Sequence, residues 1–166
     1  MASARGMPSV QPLPRRILIA GGGIGGLAAA LALQQRGIPA FVCERAPELR
    51  EVGAGLLLSP NAVRVLALLG LDEAARSRSH VIEKWRILDP RGRLLHRLQP
   101  ARTGPPAFSL HRSDLQFLLQ SRLDPAILRL GFDIARHAES ADGVELTARS
   151  GEKEQGSVGV YGTGSS

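Results

Sequence analysis

Five of the six residues from Gly21 to Gly26 are glycine, and the block lies between an apolar run and a helix-forming stretch. Few folds have a use for that arrangement. Arg16-Ile17-Leu18-Ile19-Ala20 is a run of β-formers without polar alternation, which predicts a strand buried on both faces. Leu27 to Arg36 is rich in Ala, Leu, Gln and Arg and stops before Gly37, which predicts a helix with a glycine just past its end. Pro39 to Glu44 predicts a second strand. Strand, helix and strand within about 30 residues make a βαβ unit, hence a parallel pair with a right-handed crossover.

Inside the block the spacing is G-x-G-x-x-G. Gly21 permits a tight turn out of the strand, Gly23 lets backbone approach a pyrophosphate, and Gly26 lets the helix pack close to the strand. Ile24 and Gly25 complete the loop as cofactor-binding candidates, and the helix after it begins with free N–H groups and a partial positive charge, suited to an anion. The second strand ends in Glu44, eighteen residues after Gly26. A carboxylate there is placed to accept hydrogen bonds from an adenosine ribose and to repel a 2′-phosphate, which disfavours NADP in this site. A plainer reading has Glu44 ending a strand and pairing with Arg45 or Arg36. The glycine pattern alone does not separate FAD from NAD.

Composition removes other classes. The net charge is +6, and 19 of the 21 basic residues are arginine, scattered and not interleaved with the six aromatic residues. Neither a recognition helix nor a stacking platform is visible, so no nucleic-acid partner is expected. Cys43 is the single cysteine, which excludes a disulfide framework, and it lies in an apolar strand as an inert thiol. The four histidines lack metal-ligand spacing, so no metal is expected. The stretch Ile17–Leu33 is too glycine-broken and too short to read as a membrane span. The expectation is a cytoplasmic protein with no membrane partner.

Further along, Ser59 and Pro60 mark a helix start, with Asn61 in its first turn and Gly70 at its end. Asp72 to Ser79 predicts a short helix. Val81–Leu88 and Arg93–Leu98 predict two strands joined by a turn at Asp89–Gly92, with Trp85 as a core position. Arg112 to Leu123 has helical spacing. Phe132–His137 and Val144–Ala148 predict a hairpin across Ala141-Asp142-Gly143. Met1–Pro14 reads as a loose leader and the glycine-rich 151–166 as a disordered tail.

Two segments, Gly53–Leu71 (GAGLLLSPNAVRVLALLGL) and Leu110–Leu119 (LHRSDLQFLL), follow the glycine loop and Glu44 in an order that resembles the single-component FAD-dependent aromatic-ring hydroxylases, similar to salicylate and hydroxybenzoate hydroxylases. The resemblance covers about Arg16 to Ala148. It implies an α/β fold: a Rossmann-like FAD-binding domain over 15–150 with the beginning of a substrate-domain β-sheet at about 81–98. It implies FAD as cofactor, NADH or NADPH as electron donor, and a small aromatic substrate. It also implies that Glu44 holds the ribose, that Arg45 lies by the adenine end, and that Gly55 lets main chain approach the flavin side. Arg112 would reach the pyrophosphate or ribityl region, with Gln116 supporting it; a guanidinium fork suits phosphate oxygens. Plainer readings stay open: Gly55 as a glycine opening a strand, and Arg112 as a surface residue paired with Asp114 or Glu51. No side chain is expected to act as acid or base, so no catalytic residue is named.

The family pattern continues with a returning strand, a G-A-D-G-x-x-S segment and a later G-D motif. Here Gly162-Thr163-Gly164 is at most a blurred remnant of the first, and the chain is expected to be a truncated part of such an enzyme, inactive alone. Two alternatives remain: a non-catalytic FAD- or ADP-binding module, and an NAD-dependent Rossmann dehydrogenase. Substrate and oligomeric state are not legible.

Overall fold

The computed structural model describes residues 16–49, 55–98 and 104–161. In chain order the strands are β1 (Ile17–Ala20), β2 (Ala40–Cys43), β3 (Gly55–Leu58), β4 (His80–Val81), β5 (Trp85–Leu88), β6 (Leu94–Leu98), β7 (Phe108–His111), β8 (Leu128–Arg129), β9 (Ile134–Ser140), β10 (Gly143–Ala148), β11 (Lys153–Gly156) and β12 (Val158–Tyr161). The helices are α1 (Ile24–Gln34), α2 (Pro60–Leu68), α3 (Asp72–Arg76) and α4 (Arg112–Gln120), with a short 3-10 turn at Pro125–Ile127.

The βαβ unit forms as the sequence predicts. β1 and β2 pair in parallel, Ile17 opposite Ala40 and Ala20 opposite Cys43. The sheet order is β12-β1-β2-β8. Side chains alternate between its faces. Ile19 and Val42 enter one apolar cluster with Leu27 and Leu31 of α1, Leu66 of α2, Phe108, and Leu115 and Leu119 of α4. Leu18 and Cys43 enter a second with Phe132, Val144, Leu146 and Ala148. The parallel sheet is thus a middle layer. Helices cover one face, and the antiparallel sheet β9-β10-β11 covers the other.

A third sheet, β3-β7-β4, leads into α4. β7, with the sequence FSLH, is not among the expected strands. The expected strand Val81–Leu88 is divided, with β4 pairing to β7 and β5 turning into the β5–β6 hairpin. Asp89 closes that turn by accepting the N–H groups of Arg91 and Arg93. α1 begins earlier than expected, inside the glycine block, and α4 ends at Gln120 rather than Leu123. Ser59 stands at the N-cap of α2 but makes no capping bond through its side chain.

Two expectations are corrected. Trp85 is not a core position: it is 38% exposed, because the hairpin meets no covering layer among the described residues. The expected disordered tail over 151–166 is structured as far as Tyr161. β11 continues the antiparallel sheet, and β12 returns to pair in parallel with β1, Ile17 opposite Val158. One of the glycines that suggested mobility, Gly156, serves packing instead. A Cβ on Gly156 would stand 2.6 Å from Arg16 O and 2.7 Å from Leu18 Cγ. Arg16 ties the segment down: its Nε donates to Gln155 O at 2.9 Å, its guanidinium pairs with Glu154 and lies 4.5 Å over the Phe41 ring, and its carbonyl accepts Ser157 N–H. The expected leader, 1–14, and residues 162–166 lie outside the described residues.

Candidate cofactor site

The site is built on the turn from β1 into α1. Gly21 has φ +106°, a backbone state that disfavours any side chain, and its N–H donates to Cys43 O at 2.8 Å. Gly26 is required by close approach: a Cβ there would lie 2.0 Å from Gly21 O. Gly23 and Gly25 differ from it in kind. A Cβ on either would meet nothing within 4 Å. Gly23 is the N-cap of α1, with ordinary extended backbone (φ −72°, ψ 179°). The first helical N–H to find an acceptor is that of Leu27, on Gly23 O at 2.9 Å. The N–H groups of Ile24, Gly25 and Gly26 precede it, carrying the unsatisfied donor character of any helix start. The loop therefore combines one glycine demanded by its turn, one demanded by packing, and open ground over the helix start.

Glu44 directly follows β2. Its main chain is held on both sides, its N–H by Arg129 O at 2.9 Å and its C=O by Phe132 N–H at 2.8 Å. Its carboxylate accepts the Gly22 N–H at 2.5 Å and the Ala46 N–H at 2.8 Å. It pairs with neither Arg45 nor Arg36; Arg36 donates instead to Ala32 O. A carboxylate offers about four lone-pair sites, so two amide donors leave acceptor capacity for ribose hydroxyls. Arg45 is exposed and has no acidic partner among the described residues.

α4 brings the other expected residues. Arg112 is its first residue and is exposed. Asp114, the expected alternative partner of Arg112, pairs with Arg78 at 3.3 Å, and Glu51 lies outside the described residues. Gly55 stands opposite His111, the residue before Arg112, so β3 and α4 begin at one end of their sheet. A Cβ on Gly55 would meet nothing within 4 Å, so packing does not require a glycine there. Gln116 does not support Arg112 as expected. Its Nε2 donates to Gly22 O at 3.1 Å, which joins α4 directly to the glycine loop.

Gly22 was missed by sequence reasoning because it occupies a free position of G-x-G-x-x-G. It is buried, and a Cβ there would come within 3.0 Å of Glu44 Cβ. The available signal was the excess of glycine over what the pattern needs. Cys43 is chemically quiet: burial, then the negative charge of Glu154, push its thiol up to about 12. No cluster of three or more His, Cys, Asp or Glu able to hold a metal exists among the described residues. None of their helices is long and apolar enough to cross a membrane.

A strand, a glycine turn with open ground at its helix start, and an acid after the second strand define a dinucleotide-binding domain built on a parallel βαβ unit. The FAD binding domain family matches residues 15–157, and the chain belongs to that family. Among its relatives are the aurachin C monooxygenase/isomerase of Stigmatella aurantiaca, 35% identical over 89% of this chain and 40% of that protein, and the 3-hydroxybenzoate 6-hydroxylase of Polaromonas naphthalenivorans, 42% identical over 67% and 29%. The 3-amino-4-hydroxybenzoate 2-monooxygenase of Streptomyces cremeus is 40% identical over 79% of this chain and 35% of its own. Among solved structures, Klebsiella pneumoniae HpxO complexed with FAD and uric acid superposes with a TM-score of 0.77 at 27% identity, over 87% of this chain and 38% of that one. The tetrameric form of 2-methyl-3-hydroxypyridine-5-carboxylic acid oxygenase gives 0.75 at 29%, over 86% and 37%. The chain thus spans at most about two-fifths of the length of these relatives. The cofactor of the family is FAD, and the residues of the glycine turn fit its ADP half.

Proposed function

We propose that these residues hold the ADP half of FAD in a flavoprotein monooxygenase that draws electrons from NADH or NADPH and hydroxylates a small aromatic substrate in the cytoplasm. The observation that carries this reading is the division of labour in the glycine turn: Gly26 has no room for a side chain, while the ground over Gly23 and Gly25 is open beside free helix N–H groups. Phosphate oxygens are what such a place takes. Glu44 meets the ribose hydroxyls with the acceptor capacity left by Gly22 and Ala46. Arg112 and Arg45, exposed and without acidic partners among the described residues, supply positive charge toward the pyrophosphate and the adenine end. Gly55, at the start of β3, serves the flavin side.

Bound there, a flavin supplies electron acceptance from a nicotinamide and oxygen activation toward an electron-rich ring. The residues of this chain bind, orient and neutralise charge. None is assigned a proton-transfer role. The hydroxylase relatives support the aromatic substrate class, and the FAD complex of HpxO supports FAD over an NAD-dependent dehydrogenase.

The test is a titration of the chain with ADP and with 2′-phospho-ADP. ADP is expected to bind at least about tenfold more tightly, since a 2′-phosphate brings like charge against Glu44. The Glu44→Gln variant should narrow that gap by weakening ADP and sparing its 2′-phosphorylated analogue. Tighter binding of 2′-phospho-ADP by the unaltered chain would defeat the reading.

A further inference from the structure

Gly22 is held by two side chains that come from distant parts of the chain. Its N–H is taken by Glu44, and its carbonyl accepts Gln116 Nε2 at 3.1 Å across 94 positions of sequence. These are atoms of two successive peptide planes. In a trans peptide the C=O and the following N–H point in opposite directions, and no cis peptide occurs among the described residues. Holding the Gly22 carbonyl toward α4 therefore turns the Gly23 N–H away from α4.

We propose that Gln116 is a positioning residue of the pyrophosphate loop, which, by fixing the Gly22 carbonyl toward α4, presents the Gly23 N–H to phosphate oxygens. This rests on the ADP site proposed above and assigns Gln116 a task other than touching the cofactor.

Three observations support it. Gly21, Gly22 and Gly23 are consecutive glycines, so this backbone has the widest conformational freedom a chain can have and needs outside restraint to keep one shape. The restraint comes from a rigid element: Leu115, Leu118 and Leu119 bury α4 against the core that also holds α1. The same bond removes a hazard. A carbonyl oxygen free to rotate toward the phosphates would set a partial negative charge against them, and Gln116 turns it to the other side. Pre-organisation of this kind raises affinity by lowering the ordering cost on binding.

The experiment compares the full chain with Gln116→Met, which keeps length and loses the donor, and Gln116→Glu, which sets a carboxylate against the carbonyl. Adenosine, ADP and FAD are the ligands, and thermal melting is followed in parallel. Gln116→Met is expected to weaken ADP and FAD alike, by about three- to tenfold, with adenosine binding and melting unchanged. Gln116→Glu is expected to cost ADP more than Gln116→Met does. Loss on FAD with ADP unaffected would overturn the proposal, because Gln116 would then touch the flavin half directly. Equal loss on all three ligands would overturn it as general loosening of the domain. Failure of the unaltered chain to bind ADP would remove the site reading and this inference with it, whereas normal ADP binding by both variants removes this inference alone.

Discussion

The strands of the βαβ unit are apolar throughout and those of the β5–β6 hairpin mostly so, and they end in opposite surroundings. Leu18, Ile19, Val42 and Cys43 are sealed, with helices over one face of their sheet and β9-β10-β11 over the other. Trp85, Ile87, Leu88, Leu94 and Leu95 are exposed. A strand acquires a core position only when other segments bring a layer to each face; apolar composition does not provide one. The consequence for function is direct. The sealed region gives a fixed frame on which the glycine turn, Glu44 and Gln116 keep their geometry. The hairpin carries no part of that frame.

The sharpest way to break this contrast lies within the glycine turn. Gly26→Ala places a Cβ 2.0 Å from Gly21 O, where only backbone movement relieves the clash. The expected cost is about 3 kcal/mol or more, read by urea denaturation. Gly23→Ala, three residues earlier, meets nothing within 4 Å and has a φ that alanine accepts. Its stability should stay within about 0.5 kcal/mol of the parent, while ADP affinity falls at least about tenfold. If Gly23→Ala unfolds the chain, or leaves ADP binding intact, the separation of frame from binding ground is wrong.

A middle-sized effect is expected at Gly156, where the frame is closed by the returning chain. Gly156→Ala sets a Cβ against Arg16 O at 2.6 Å and Leu18 Cγ at 2.7 Å. Overpacking of this kind typically costs about 1–3 kcal/mol. Since the backbone approach at Gly156, 2.6 Å to Arg16 O, is less severe than the 2.0 Å at Gly26, the loss should be smaller than for Gly26→Ala. Denaturation of the two variants side by side gives that order, and a silent Gly156→Ala would mean that 153–161 is not part of the frame.

The βαβ unit was legible in the sequence because its signals are local: period, glycine spacing, and an acid at a known distance. Gly21, Gly26 and Glu44 stand where those signals place them. What escaped was set by partners far along the chain. β7 has four residues and exists by pairing with β3, so no window around FSLH announces it. The stretch after Gly151 reads as mobile because its glycines resemble linker glycines; the meaning of Gly156 comes from Arg16 and Leu18, some 140 residues earlier. Gln116 was expected to help Arg112, its neighbour on one helix, and instead bonds the carbonyl of Gly22. Trp85 failed in the other direction. An amphipathic-looking strand invites a core assignment, and only the layer count shows that no cover is present among the described residues.

The smallest expected effect tests the bare region itself. Ile87 is 50% exposed and Leu95 63% exposed, so both side chains have much of their surface in water in the folded state. Replacing both with serine gives up little burial, and the polar hydroxyls find water without penalty. The double variant Ile87→Ser with Leu95→Ser should therefore keep stability within about 1 kcal/mol, twice the usual allowance for one surface change. ADP affinity should not change, because no hydrogen bond or ion pair joins this hairpin to the glycine turn among the described residues. Leu31→Ala supplies the yardstick: Leu31 is 2% exposed within the helix-side core, and its truncation should cost about 2–5 kcal/mol. A hairpin variant that costs as much as Leu31→Ala would show that β5 and β6 carry part of the domain's stability after all, and the line drawn between a sealed frame and a bare hairpin would have to move.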